Sequence, residues 1–385
     1  MVIAVCKYID LLETETFIRA HVNHLQADTT LIAGRPPRIG ETAPSLRERA
    51  TRFLYRKVGM LLPTGYQSEF TLEYKRLLNT VRPDVVLAEY GLTGVALCEA
   101  CRDLSLPYVV HFHGFDAFGC EILEKYREAY ATVLSRAEAV VGVSTPMCNQ
   151  LLDLGAPRNC TFLNPCGVNV QLFQPGPINP EISKFLSVGR FTEKKAPHLT
   201  LLAFSKVYAL HPEVRLRMIG DGRLLDSSKD LATALHIDGA VEFLGKQPHE
   251  VVRKEMQQAD VFVQHSITAQ SGDSEGSPVS IMEAGASSLP TISTRHAGIP
   301  DIIIHGKTGF LVDEHDVDGM ADRMLKIVRE QGTANHMGQM ARRHIANYFS
   351  QDVSLDRLSN IMAWAAGIES QRPELTPDWS EVNEY

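Results

Sequence analysis

An α/β chain of two doubly wound parallel-sheet domains is the fold class this sequence predicts. Three observations carry the prediction. Short runs rich in Val and Ile alternate with longer amphipathic runs along nearly the whole chain. The short runs lack a polar/apolar alternation, as expected of strands buried on both faces. The rhythm then restarts once, after a stretch dense in Pro and Gly, as two βαβ series joined by a linker would.

The first series predicts strands at 2–5, 30–33, 84–88, 108–112, 139–143 and 161–163. The second predicts them at 184–188, 214–219, 241–244, 260–264, 290–293 and 310–312. Helical patterns fill the gaps, as at 197–210, and 164–181 reads as the linker through Pro165, Gly167, Pro175, Gly176, Pro177 and Pro180. The expected domains are 1–170 and 171–350, facing a central cleft. Ligands of such sheets bind at the carboxyl ends of the strands. A helical run at 351–370 is expected to pack back on the first domain. The polar, Pro-containing stretch 371–385 is expected to form a flexible tail.

A chain of 385 residues is long enough to bury its cores without staples. Its net charge of -8 excludes a dedicated nucleic-acid binder, which needs a dominant basic face. No run approaches the roughly 18 apolar residues of a membrane span, and Met1 leads straight into an apolar strand without a basic leader. A cytoplasmic protein is expected. Seven scattered cysteines fit a reducing compartment, where they act as small buried hydrophobes. The Cys98/Cys101 pair sits in a helical run with no second pair at zinc-ribbon spacing.

The chemistry concentrates in three segments. In Ser271-Gly-Asp-Ser-Glu275-Gly-Ser-Pro-Val-Ser-Ile-Met-Glu283, Ser277 reads as an N-cap and Pro278 as the first helical turn. The helix should run to about Ser288, with an anion site at the N–H groups near Val279 and Ser280. Gly276 allows close backbone approach. Glu275 and Glu283 flank that site, Glu283 about 8 Å along the axis. Each carboxylate can accept from two vicinal hydroxyls of a nucleotide sugar; the plainer reading is a capped helix with two solvated glutamates. In Val188-Gly189-Arg190-Phe-Thr-Glu-Lys194-Lys195, Arg190 and Lys195 can clamp a diphosphate in place of a metal ion, or form a solvated basic turn. In His111-Phe-His113-Gly114-Phe-Asp116, a strand ends at a His-Gly corner. His113 can hydrogen-bond a sugar, cap a helix, or join His111 and Asp116 as a metal ligand. The one Asp-x-Asp, Asp316-Val-Asp318, reads as a helix N-cap.

These segments resemble family 4 of the retaining glycosyltransferases, which have the GT-B fold of two Rossmann-like domains. The motifs are Glu275…Glu283, Gly189-Arg190…Lys194-Lys195 and His113-Gly-Phe-Asp116. With them stand Asn164-Pro-Cys-Gly167, Gly220-Asp-Gly222, Phe243-Leu-Gly245, and Gly298-Ile-Pro-Asp301 with Gly306…Val312. Each is weak alone, but jointly they span the chain in the family's order. Glu15-Thr16 and Gly272-Asp273 are similar to the branch that builds bacterial exopolysaccharides.

The resemblance implies a sugar transferred from a nucleotide diphosphate, UDP ahead of GDP, to a glycan or lipid-linked acceptor. It implies retention of configuration and no metal or other cofactor. Glu283 would bind the ribose and Glu275 the donor sugar. Arg190 and Lys195 would bind the diphosphate, and His113 would touch the transferred sugar. Gly276, Ser277, Val279 and Ser280 would hold sugar and phosphate by their amides. Gly189 opens the cationic turn, and the loop Gly245-Lys246-Gln247 would receive the base. Glu15, Thr16 and Asp116 are the acceptor-side candidates. The family's glycine-rich first loop is absent, residues 10–16 being acidic and polar, and Ala196 stands where glycine is commoner. Residues 46–62 mix five cations with bulky apolar residues and are a candidate peripheral membrane contact, or an ordinary surface helix. Competing readings are another GT-B enzyme, such as a sugar-nucleotide epimerase, and a non-catalytic nucleotide-sugar binder.

Overall fold

The computed structural model describes residues 1–12, 15–41, 65–177 and 181–376. The proposed membrane contact at 46–62 lies outside them. The chain forms two units, one of residues 1–165 with 354–376 and one of 166–353.

In the first unit the strands are β1 (Val2–Lys7), β2 (Asp28–Ala33), β3 (Arg38–Ile39), β4 (Val85–Glu89), β5 (Tyr108–Phe112), β6 (Ala139–Gly142) and β7 (Thr161–Leu163). They make one sheet in the order β3-β2-β1-β4-β5-β6-β7. All neighbours are parallel except β3, which pairs antiparallel with β2. At two residues, β3 is too short to leave a periodic signal, and the sequence reading missed it. Its helices are α1 (Thr16–His24), α2 (Gly65–Val81), α3 (Gly91–Leu104), α4 (Phe115–Phe118), α5 (Cys120–Arg136) and α6 (Thr145–Asp153). Helix α6 starts where Ser144 Oγ accepts from the Met147 N–H, with a proline in its first turn.

The second unit has β8 (Lys184–Val188), β9 (Arg215–Ile219), β10 (Val241–Gly245), β11 (Val261–Val263), β12 (Thr291–Thr294) and β13 (Gly309–Val312). Their order is β10-β9-β8-β11-β12-β13, parallel throughout. Around them lie α7 (Pro197–Leu210), α8 (Leu225–Ala234), α9 (His249–Gln258), α10 (Val279–Ala286), α11 (Ile299–Ile302), α12 (Val317–Arg329) and α13 (Gln331–Tyr348). Asp316 is the N-cap of α12, its carboxylate accepting from the Gly319 N–H at 2.8 Å. The Asp-x-Asp is thus a helix start.

Both sheets reverse their winding once, between β1 and β4 and between β8 and β11. The crevice at such a switch point is where doubly wound sheets bind ligands. Each sheet carries its own core. Ile3, Val5, Val85, Leu87, Val109 and Val141 cluster in the first unit. Phe185, Leu216, Val261, Val263, Ile292 and Phe310 do so in the second.

The final helix, α14 (Gln351–Ala365), sends Leu355, Leu358, Ile361 and Met362 into the first unit's core. Residues 371–376, expected to lie in a flexible tail, are instead tied down. Leu163 N–H donates to the Leu375 carbonyl at 2.7 Å, Arg357 reaches the Glu374 carbonyl at 2.6 Å, and Leu375 packs on the core. One apolar side chain and backbone pairing decide this, against a composition that reads as disordered. In the second unit the expected linker is anchored too, Val168 bridging to Ser350 and Arg342 donating to the Phe173 carbonyl at 2.8 Å. Among the described residues no helix is long and apolar enough to cross a membrane.

Candidate functional site

The second unit's switch point gathers most of the singled-out residues. Strand β8 ends at Val188, and Gly189 follows with its N–H on the Ile219 carbonyl at 2.9 Å. A Cβ on Gly189 would stand 3.3 Å from Lys195 Cδ, so glycine lets the lysine stem cross the strand end. The chain then turns through Glu193–Lys195 into Ala196, at φ 36° and ψ 53°, before Pro197 opens α7. That left-handed corner is the physical reason glycine is commoner there. The result is an open, shallow recess lined by Val188, Gly189, Arg190, Lys195, Met218 and Gln264 among others.

Lys195 Nζ lies 3.0 Å from Glu275 Oε1 and donates to Gln264 Oε1 at 3.3 Å. Ser280 Oγ donates to the same Gln264 oxygen at 3.2 Å. Burial pushes the Lys195 ammonium below its ordinary pKa, with Glu275 opposing. Burial likewise resists ionisation of Glu275, but the Lys195 and Lys194 charges outweigh it and hold the carboxyl below its usual range. Glu275 is therefore ionised at neutral pH. The exposed Arg190 completes a positive rim. Gln264 escaped the sequence reading, which spent it as a strand residue. Its signal was position, a polar side chain one step beyond β11 at the switch point.

The neighbouring cation acts differently. Lys194 is buried, bonding Asp273 Oδ1 at 2.8 Å and the Ser274 carbonyl at 3.1 Å. It pins the loop that presents Glu275. The Glu275 N–H donates to His296 Nε2 at 3.1 Å, and His296 Nδ1 lies 2.6 Å from Glu314 Oε1. Ser277 is not the N-cap expected of it. The helix starts at Val279 with Pro278 in the capping position, and Ser277 Oγ instead points to Met282 Sδ at 3.9 Å. Pro278 takes ψ 102°, outside the helical range, which moves the start one residue on. Helix α10 also ends earlier than expected, at Ala286, where Ser288 turns left-handed at φ 62°. Gly276, Val279 and Ser280 nonetheless surround that helix start, whose first N–H groups have no partner within the helix.

Glu283 is buried on α10, and His249 Nε2 lies 2.7 Å from its Oε1. The hydrogen bond to Glu283 raises the His249 pKa above its ordinary value. Gly245 ends β10 at φ 66°, Lys246 is exposed, and Gln247 Nε2 donates to the Leu244 carbonyl at 2.5 Å.

The first unit holds the remaining candidates at its own strand ends. His113 Nε2 lies 2.7 Å from Glu89 Oε2, the last residue of β4. Its ring packs between Phe17 and Tyr90, centroids 4.5 and 4.9 Å away. Glu89 Oε1 lies 2.6 Å from His21 Nδ1. Burial works against the Glu89 charge, but His21 and His113 hold its carboxyl far below the usual range. Burial pushes His111 well below its ordinary pKa, leaving it neutral against the opposing pull of Glu89 and the Asn164 backbone.

Asp116, an acceptor-side candidate and a third member of the sequence's metal reading, is spoken for. Its carboxylate accepts from the N–H groups of Gly91 at 3.0 Å, His113 at 3.1 Å and Gly114 at 2.9 Å. It caps the His-Gly corner, and among the described residues the groups close enough to share an ion with His111 are His21 and Glu89, not Asp116. Glu15 is engaged as well, with Lys7 Nζ at 2.8 Å, Tyr90 Oη at 2.8 Å and the Leu12 N–H at 2.7 Å. Thr16 opens α1. Cys98 and Cys101 are buried free thiols on α3; burial pushes Cys101 up to about 12.

Comparison with known proteins bears on both units. The model "Glycosyltransferase Family 4" matches residues 14–172, and "Glycosyl transferases group 1" matches 170–344. The chain is 30% identical over 285 residues to WcaL of Salmonella typhimurium, a protein named for colanic acid biosynthesis, covering 72% of this chain and 70% of that one. It is 28% identical over 285 residues to the amylovoran biosynthesis glycosyltransferase AmsK of Erwinia amylovora, with the same coverage of 72% and 70%. Anabaena HepE, solved with UDP and glucose, superposes with a TM-score of 0.75 at 16% identity, covering 94% of this chain and all of that one. At that identity the likeness speaks to the fold, two Rossmann-like units in both.

Proposed function

This chain belongs to glycosyltransferase family 4, with the GT-B fold, and from that premise we propose a retaining transfer from a UDP-sugar in exopolysaccharide biosynthesis. The acceptor is a glycan or a lipid-linked glycan, met in the cytoplasm or at the membrane face, with 46–62 as the candidate contact. The observation that carries the reading is the Lys195–Glu275 pair at 3.0 Å, set on the switch-point recess beside Arg190. The names of WcaL and AmsK support the polysaccharide class, and the UDP bound to HepE favours the base.

On this reading Arg190 and Lys195 meet the diphosphate, and their charge stabilises the leaving group as the glycosidic bond breaks. No divalent ion is needed at the diphosphate. Glu275 accepts from the donor sugar's hydroxyls and Glu283, its rotamer set by His249, from the ribose. His113 hydrogen-bonds the transferred sugar. The acceptor attacks the face the diphosphate is leaving, and a phosphate oxygen takes its proton, so no protein nucleophile is required.

The test is the thermal stability of the full chain, titrated with UDP, GDP and their sugars in EDTA. Ligand at a hundred times its dissociation constant adds about 2.7 kcal/mol. We expect selective stabilisation by UDP species, lost in Glu283→Ala and in Arg190→Ala. Stabilisation by none of them, or only with added divalent ion, sinks the donor site. The anomer first released in slow donor hydrolysis, read by NMR, checks retention, and an inverted sugar refutes it.

A further inference from the structure

Three imidazoles surround one buried carboxylate at the carboxyl ends of β4 and β5. Glu89 Oε1 lies 2.6 Å from His21 Nδ1, and Glu89 Oε2 lies 2.7 Å from His113 Nε2 and 3.8 Å from His111 Nδ1. The His21 and His111 rings stack at 5.4 Å. One ligand atom each from His21, Glu89 and His111 fits within 4.8 Å of the others, and all three residues are buried.

Hydrogen bonding accounts for Glu89, His21 and His113. It does not account for His111. That ring is 1% exposed; the Asn164 backbone lies close enough to favour its charged form, but neither ring nitrogen has a partner within hydrogen-bond geometry. A buried polar group left so is rare in folded proteins and usually marks an ion, a water or a functional group. An apolar residue at this place in β5 would cost less. The orphaned ring has its Nδ1 turned to the Glu89 carboxylate.

We propose that His21, Glu89 and His111 form a binding site for one divalent transition-metal ion, with Zn²⁺ its natural occupant. Two imidazoles and a carboxylate are a ligand set that zinc accepts, with a fourth position open. Zinc–ligand bonds of about 2.0–2.1 Å put tetrahedral ligand atoms roughly 3.3 Å apart. Binding therefore lengthens the His21–Glu89 contact by some tenths of an ångström and draws His111 closer. The outer hydrogen bond is already in place, His113 Nε2 on the ligating carboxylate, as metal sites require of their surroundings. The ion would lock α1 to the ends of β4 and β5 and hold Glu89, which in turn orients His113. It lies in the first unit and leaves the diphosphate chemistry free of metal. The site stands or falls independently of the sugar-transfer reading.

The experiment uses the full chain, purified without chelator from Zn²⁺-supplemented cells, desalted, and assayed by plasma mass spectrometry. We expect about one Zn²⁺ per chain, as the ligand set holds one ion. Removing a ligand in His21→Gln or His111→Gln should weaken Zn²⁺ at least as much as loss of an outer partner, about 10–100-fold. Circular dichroism and cooperative unfolding report whether each variant folds. A wild-type chain that leaves the column without metal overturns the proposal. So does a folded variant pair that keeps wild-type metal content, since the ion then sits elsewhere. Should both variants fail to fold, the Co²⁺-loaded wild type decides. Intense tetrahedral d–d bands support the site, and weak octahedral bands or none refute it.

Discussion

Replacing Lys195 by Met tests whether the ion pair at the second unit's switch point governs that unit's stability. The side chains of Lys195 and Glu275 are 14% and 7% exposed, and their charges meet at 3.0 Å. At an effective dielectric of 20 that contact is worth about 5 kcal/mol before desolvation is counted. Removing the lysine strands a buried carboxylate, a change that costs about 3–5 kcal/mol. Lys194 also stabilises the Glu275 charge, so the low end applies, about 3 kcal/mol. For a unit of this size, 166–353, each kcal/mol moves the midpoint about 2–4 °C, giving a drop of about 6–12 °C by calorimetry.

The pH dependence carries the sign. In the wild type the Glu275 pKa is held below 4.5. Its contribution is present above that value and lost as pH falls through the lower folded pKa. In Lys195→Met the carboxyl has lost its nearest cation and takes a proton more readily folded than unfolded. Acidification therefore relieves the variant's penalty, and the two stability curves converge as pH falls toward 4.5. The lowered Lys195 pKa acts elsewhere, raising wild-type stability only as pH climbs toward 10.5. Lys195→Met with Glu275→Gln should recover part of the loss, as coupled residues do. A midpoint drop under about 2 °C, or a difference flat across this range, refutes the reasoning.

Asp116→Ala leaves the N–H groups of Gly91, His113 and Gly114 without their acceptor. At about 1–3 kcal/mol for each buried donor, we expect at least about 3 kcal/mol lost in urea titration, with UDP affinity unchanged. In Gly220→Ala the new Cβ would stand 1.9 Å from the Gly189 carbonyl oxygen at φ 144°. Backbone displacement and strain should cost about 2–4 kcal/mol, and moving Gly189 should weaken UDP binding in calorimetry as well. His249 is raised by its hydrogen bond to Glu283. The stabilisation it brings is complete below pH 6.5 and lost as pH rises through the folded pKa. Glu283→Gln should return the His249 NMR titration toward its ordinary value, and an unmoved midpoint would refute the pairing.

Strand existence and type were legible because β-branched runs buried on both faces leave a strong periodic mark, and twelve of the strands stand close to where that mark puts them. Helix starts were less so. Asp316 caps as its spacing indicates, whereas Ser277 yields to Pro278 because the backbone torsion of Pro278 moves the start. Glu275, Glu283, Arg190 and Lys195 stand out as candidates by residue type and order alone. What only tertiary structure decided was pairing. That Lys194 pins a loop while Lys195 meets Glu275, and that Gln264 joins them, depends on which strands adjoin at a switch point. Glu89 and His21 bear no local signature linking them to His111, lying 22 and 90 residues upstream of it in the chain. The sheet order brings them together. Linear sequence records which side chains exist and the period of their burial; the partner of each charge is set by the packing of elements distant along the chain.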